Sequence, residues 1–263
     1  MHLVTIAISH YCDRARWALQ HFGVPFSEAG YMPVFHFPGV IRAVGLRGGQ
    51  SDRVSSRFST PILITDDGEH LHDSSLILRY LDDRFSTPET TLYPPEHEAE
   101  ILELEQRVSA RIGGHSRRIG YFHVLQRADL VAATARDNVG PTQARLFRAL
   151  RPLLSVVIRR GLRIDARRVA KSVTVLREET ALLDEKLGSG RYLVGDRFTA
   201  ADLTTACMLA PALMAASSEG YGAVLPELSH LPAELRSLVD EMRATAIGAH
   251  SLRMLGRRAH ATD

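Results

Sequence analysis

STPILITDDGEHLHDSSLILRYLDDRF, residues 59–85, reads as strand, tight turn, strand and helix in a single run. Thr60-Pro61 opens the apolar run Ile62-Leu63-Ile64. A proline leading a strand is compatible with a cis peptide, and it leaves the preceding backbone free to pair with something other than a strand. Asp67-Gly68 then supplies a hairpin signal, with Leu71 in the short return strand. Asp73-Ser74 follows at the mouth of a helix whose inward stripe is expected at Leu76, Ile77, Tyr80 and Leu81. The first N–H groups of a helix lack intrahelical partners, so an acid and a hydroxyl there either cap the helix or hold a polar ligand.

Upstream, residues 3–8 are an apolar run of strand length that stops at Ser9-His10-Tyr11-Cys12. A helix follows, with Asp13 in its first turn, Ala15, Trp17, Ala18, Leu19 and Phe22 along it, and Gly23 to end it. A second strand over 26–31 completes a β-α-β unit, whose parallel strands imply a right-handed crossover. Residues 32–57 read as loop with one short helix. Strand, helix, strand, proline-led strand, hairpin and helix is the thioredoxin-like order. Thiol-disulfide members of that fold carry Cys-x-x-Cys at the start of the first helix; here the spacing survives with Ser9 first and Cys12 last. Ser9 is either a helix cap or a ligand-holding hydroxyl, and Cys12 either a small packing residue or a nucleophile.

Residues 85–95, FSTPETTLYPP, form a Pro/Thr-rich connector between an expected domain over 1–84 and a second over 96–263. Beyond it strand signals vanish. Ile101, Leu104, Val108, Ile112, Ile119 and Phe122 recur at helical spacing, with His115 on the same face and Arg111 and Arg118 along its edge. Gly113-Gly114 inside this helix permits a bend or a close approach. Two more helices are expected over 142–160 and 165–187. Their apolar stripes include Leu146, Leu150, Leu153 and Val157, then Val169, Val173, Leu176, Leu183 and Leu187. The basic run RRGLRIDARR between them is either a solvated face or a phosphate contact. Thr199 and Asp202 form a capping pair ahead of a buried helix through Met208 and Leu213, with Phe198 and Leu203 placed as its hydrophobic staple. The final RMLGRRAHATD is expected to fray.

At 263 residues the chain has room for two modest cores. Its 32 basic and 30 acidic side chains net to +2, which makes no case for nucleic-acid binding. Cys12 and Cys207 are too few and too distant for a disulfide framework, and no stretch approaches the roughly twenty apolar residues of a membrane span. Neither a metal-ligand cluster nor a Gly-rich phosphate loop is visible. A reducing, cytoplasmic location is the expectation.

Four motifs in this order, SHYC with RARWAL, STP, DSS with RYL, and YLVGDRFTAAD, resemble the glutathione transferases of the serine type, over nearly the whole chain. The resemblance implies a thioredoxin-like α/β domain followed by an all-α domain. It also implies roles. Ser9 would be catalytic, its hydroxyl hydrogen-bonded to the glutathione sulfur; Thr60, ahead of a cis Pro61, would pair through its backbone with the cysteinyl part. Asp73 and Ser74 would hold the γ-glutamyl end, with Asp one methylene shorter than the usual Glu. Tyr11, His115, Arg118 and Phe122 would line a pocket for a small electrophile, and Arg47 and Arg57 are the basic candidates for the glycine carboxylate. A free thiol with a pKa of about 8.5 is only a few per cent thiolate at neutral pH. Lowering that value by roughly two units corresponds to about 2.7 kcal/mol, within reach of one charge-assisted hydrogen bond and a helix N-terminus. Glutathione is then a co-substrate, no metal is needed, and the family pattern implies a detoxifying homodimer. Two rival readings stand beside this: a non-catalytic binding or thiol-sensing protein of the same fold, and a transferase that uses another small thiol.

Overall fold

In the computed structural model, described over residues 1–45 and 58–261, the chain opens with strand β1, His2–Ile6. Leu3, Val4 and Thr5 are all buried, as a strand covered on both faces requires. β1 stops short of the expected residue 8 because the chain turns at 7–8, where the Ser9 N–H donates to the Ile6 carbonyl at 2.9 Å. Helix α1, His10–His21, then leads to β2, Ser27–Tyr31, which pairs parallel to β1. The expected short helix is α2, His36–Val44. Strands β3, Ile62–Ile64, and β4, His70–His72, form an antiparallel hairpin around Gly68, whose φ of +84° a side chain would resist. β3 also runs antiparallel to β1, so the sheet order is β2-β1-β3-β4.

Strand alternation sorts the side chains into two layers. Leu3 and Leu63 join Ala15, Ala18 and Leu19 of α1 and the inner face of α3, Ser74–Phe85, whereas Val4 and Ile62 pack with Val40 of α2. The inner face of α3 is Ile77, Leu78 and Leu81; Leu76 and Tyr80, expected inside, are only partly buried. Leu78 is an equally good apolar choice one position along, and packing against the sheet selects it.

Past residue 95 the chain is helical. Helices α4, Glu98–Val108, and α5, Gly114–Val124, form one rod joined by a π turn at Ser109–Gly113. A π turn inserts an extra residue into a helical turn, so every later side chain is displaced around the axis. The buried face runs Ile101, Leu104, Val108 and Ile112, then Ser116, Ile119 and His123, while His115 and Phe122, expected on it, are only partly buried.

Helices α6, Ala128–Asn138, α7, Pro141–Ala149, and α8, Arg151–Gly161, make an excursion before α9, Ala166–Leu187, returns to pack on α5. The single helix expected over 142–160 is two, because Pro152 has no N–H to continue the ladder across Leu150. The stripe expected inside there lies outside: Leu153 is 62% exposed, with Leu146, Leu150 and Val157 also open, while Phe147, Leu154 and Ile158 are buried. Both stripes have helical spacing, so periodicity alone does not choose between them.

Helix α10, Ala200–Leu213, is apolar all round and buried on almost every side, packing on α1, α4, α5 and α12, Ala246–Ala261. Its start carries the expected capping box: the Asp202 carboxylate accepts from the Thr199 N–H at 3.1 Å and the Leu193 N–H at 2.9 Å. Buried His250 of α12 sits 2.9 Å from the same carboxylate. Helix α11, Ala233–Ala244, precedes α12. The C-terminal helix is anchored instead of frayed, because the Arg258 guanidinium donates to the buried Asp13 carboxylate of α1 at 2.8 Å. No helix among the described residues is long and apolar enough to cross a membrane.

The approach to α12 depends on Gly220, at φ +92°, where an added Cβ would fall 1.9 Å from the Leu255 carbonyl oxygen. Gly220→Ala should cost about 2–3 kcal/mol and lower the thermal midpoint by about 4–12 °C. A midpoint unchanged in a calorimetric scan would show that the loop yields freely.

Candidate functional site

Two local events bring the site together: the turn that ends β1 and the cis peptide that starts β3. Ser9 is the N-cap residue of α1, extended at φ −83°, ψ 124°. Its carbonyl accepts from the Asp13 N–H at 2.8 Å, yet its hydroxyl makes no capping bond. The hydroxyl is therefore not engaged as a cap; within the protein it meets the Cys12 thiol, at the end of a helix whose first N–H groups lack intrahelical partners. A cavity of about 620 Å³ opens there, walled on the sheet side by Ser9, Tyr11 and Thr60. Arg117, Gly120, Tyr121 and Val124 of α5 face them, and Val157, Ile158 and Leu162 of the excursion close the far side.

The Thr60-Pro61 peptide is cis. The stretch before it is held by His72 of β4, whose Nε2 lies 2.7 Å from the Ser59 carbonyl and 3.1 Å from its hydroxyl. Cys12 is buried one turn into α1 and donates its thiol to the Thr60 hydroxyl at 3.3 Å. Burial pushes that thiol up, against the weaker pull of Arg16 and the Thr60 and Ser9 hydroxyls, so it stays protonated and unreactive at neutral pH.

Asp73 caps α3, its carboxylate accepting from the Ser75 N–H at 2.7 Å from a backbone with φ +145°, unusual for an L-residue. Ser74 is buried and its hydroxyl accepts from Arg14, which also donates to the Ser75 hydroxyl at 2.9 Å. Accepting from Arg14 leaves the Ser74 hydroxyl one proton to donate. Arg14 reaches across to the helical region as well, meeting Glu105 of α4 at 3.3 Å and the Ser109 and Thr204 hydroxyls. The second Glu105 oxygen accepts from the Tyr93 hydroxyl at 2.6 Å. Burial, then the Glu105 charge, holds that phenol well above its ordinary value. This buried network beneath Ser74 went unread in the sequence, although Arg14 lies within the RARWAL motif.

Of the residues expected around the electrophile, Tyr11 lines the cavity; its hydroxyl donates to the Ser109 carbonyl at 3.0 Å. Glycine admits it this closely: a Cβ on Gly113 would lie 2.3 Å from the Tyr11 oxygen, and the Tyr11 ring would have to move. The close approach allowed by Gly113-Gly114 thus falls on the first of the pair; Gly114 faces open space. His115, Arg118 and Phe122 do not line the cavity, and Arg118 donates to Ser172 of α9 at 2.9 Å. Arg117 and Tyr121 of the same helix are in the cavity wall instead. Asp73 and Ser74 lie outside this lining, and Arg47 and Arg57 lie outside the described residues.

Residues 8–84 match the model of the glutathione S-transferase N-terminal domain, and residues 147–231 that of the C-terminal domain. The chain belongs to the glutathione S-transferase superfamily. No curated protein matches it in sequence. Among solved structures, it is similar to a glutathione S-transferase of Ceriporiopsis subvermispora in complex with glutathione (19% identity, TM-score 0.59, covering 98% of this chain and 96% of that one). It is also similar to the beta-etherase LigF of Sphingobium sp. strain SYK-6 (17%, 0.56, 96% and 98%). A third is a Methylobacterium radiotolerans glutathione S-transferase complexed with glutathione sulfonate (21%, 0.52, 95% and 93%).

In this superfamily member the cavity's titratable groups are tuned by burial. Tyr121 makes no hydrogen bond among the described residues, and burial pushes its phenol up to about 12, so it remains a proton donor. His10 is held well below its usual value by burial and neighbouring arginines, and His36 is pushed down to about 4 by burial. No group of three or more metal-ligating side chains lies together among the described residues.

His36 has a stability consequence. Its folded value lies below the unfolded one, so the unfolded chain binds more protons between pH 6.5 and pH 4. Stability is unaffected above that window and falls as the pH drops through it, by about 2 kcal/mol at pH 5 from this group. Urea unfolding at pH 7.5 and pH 5 should show His36→Leu losing about 2 kcal/mol less on acidification than the unaltered chain. Equal losses would mean that His36 is already solvated when folded.

Proposed function

We propose that the chain binds glutathione across the N-terminal end of α1 and catalyses attack of its thiolate on a small electrophile. The reading is carried by the Ser9 hydroxyl, unspent as a cap, beside Thr60 and open to the cavity. A hydroxyl donor and helix N-terminal amides together favour a bound thiolate. The Thr60 main chain, set by cis Pro61, would pair with the cysteinyl unit; Asp73 and the remaining Ser74 proton would meet the γ-glutamyl end. The thiol proton leaves to solvent, a sulfur lone pair forms the new carbon–sulfur bond, and the leaving group departs with its bonding pair. Tyr11, Arg117 and Tyr121 would face the electrophile. Glutathione or its sulfonate occupies two of the similar structures, which supports the choice of thiol.

A thermal-shift titration tests the binding half. Glutathione at a hundred times its Kd should add about 2.7 kcal/mol of stability, and turnover of 1-chloro-2,4-dinitrobenzene should follow. A shift with another small thiol alone would replace the co-substrate. No shift with any thiol would leave a non-catalytic protein of the same fold.

A further inference from the structure

Among the described residues, the cavity beside Ser9 is lined by formal charge of one sign. Its described lining includes Arg117 and Arg163 and no aspartate or glutamate, against a largely apolar wall that includes Val124, Val157 and Leu162. His10 and His36 add no charge at neutral pH.

Neither arginine is spent within the protein. Among the described residues Arg117 makes no hydrogen bond or ion pair, only a loose approach to the Tyr11 ring, 6.0 Å from its centroid; Arg163 makes no side-chain bond. Their neighbours behave differently: Arg118 donates to Ser172, Arg111 pairs with Glu179, and Arg168 pairs with Asp165. Arg163 also borders an outer hollow with Arg159, Arg160 and the paired Arg168 and Asp165, so basic side chains outnumber acids there as well. Residues 141–168 contain eight arginines and one acid in a chain that nets only +2. A cleft lined by one sign of charge with apolar walls focuses its field on the entering molecule.

We propose that the molecule taken up by this cavity is an apolar compound bearing a carboxylate or sulfonate, bound by Arg117 and Arg163. That this molecule is the electrophile rests on the transferase reading; the anion binding does not. An unpaired guanidinium in an apolar wall forms a charge-assisted bond to an anion, and an uncharged analogue leaves it unpaired. Glutathione's own glycine carboxylate is the other source of the same chemistry, and the test separates the two.

Fluorescence titration of the full chain, without glutathione, compares 8-anilinonaphthalene-1-sulfonate with its uncharged parent N-phenyl-1-naphthylamine. At low salt the sulfonate should bind at least about tenfold tighter, with the preference shrinking at high salt. Arg117→Met with Arg163→Met should bring the two probes to within about twofold of each other by weakening the sulfonate alone. Arg163→Met by itself, on the surface, should give a partial loss and serves if the double variant does not fold. Equal affinities in the unaltered chain, or a preference that survives these substitutions, would overturn the inference. So would a thermal-shift result in which the substitutions weaken glutathione binding and leave the sulfonate preference intact. Because the probes are read without a thiol, a chain that binds no glutathione still answers the question.

Discussion

Glu105→Ala should lower the unfolding free energy by about 3–5 kcal/mol, read by urea titration at pH 7.5. The Arg14 and Glu105 side chains are 1% and 4% exposed, so removal of the acid strands a guanidinium where water does not reach it. The hydroxyls of Ser74, Ser109 and Thr204 would remain as Arg14's neighbours, none with a counter-charge, and the Tyr93 hydroxyl would lose its acceptor. Glu105→Gln keeps the shape and one acceptor and should lose less. A loss below about 1 kcal/mol in the alanine variant would mean that solvent screens Arg14 after all. The effect should also reach the site. Arg14 orients Ser74 at the start of α3, so glutathione affinity should fall in Glu105→Gln even where the protein remains folded.

Ser9→Ala should slow conjugation at pH 7 by about 10–100-fold, the loss of one charge-assisted hydrogen bond of about 1.5–3 kcal/mol. The deficit should shrink as the pH rises. The alanine variant binds a thiol of higher pKa, so its rate continues to climb past the pH at which the unaltered chain has levelled off. Pre-steady-state absorbance of bound thiolate across pH checks this directly. Cys12→Ala should change little, because burial holds the Cys12 thiol protonated, donating to the Thr60 hydroxyl. An inactive Cys12 variant beside an active Ser9 variant would falsify the assignment and make the chemistry a disulfide exchange.

The parts legible in the sequence share one property: their signals act over a few neighbouring residues. Thr60-Pro61 before an apolar run, the Asp67-Gly68 hairpin, the Thr199/Asp202 box and the Ser9 to Cys12 spacing each specify a backbone event from adjacent side chains. All appear in the fold. The site was half legible for the same reason. Ser9 and Tyr11 lie on the first turn of α1 and Thr60 at the start of β3, so local structure delivers them to one cavity.

What the tertiary structure decided begins where helical spacing has two equally good answers or loses count. The rod from Glu98 to Val124 contains a π turn at Ser109–Gly113 that no spacing rule foresees, and its cavity-lining side chains are Arg117 and Tyr121, where His115, Arg118 and Phe122 were expected. In α7 and α8 two apolar stripes compete, and contact with the rest of the chain buries Phe147 and Leu154 while Leu153 stays in solvent. Arg14 with Glu105, 91 positions apart, and Asp13 with Arg258, 245 apart, meet only once the helical region has closed on α1. By itself the sequence determined the order of elements in the α/β region, the helical character of the rest and the family resemblance, because backbone preferences are local. Which faces turn inward and which charges pair was settled by packing, because burial is a property of the whole assembled chain.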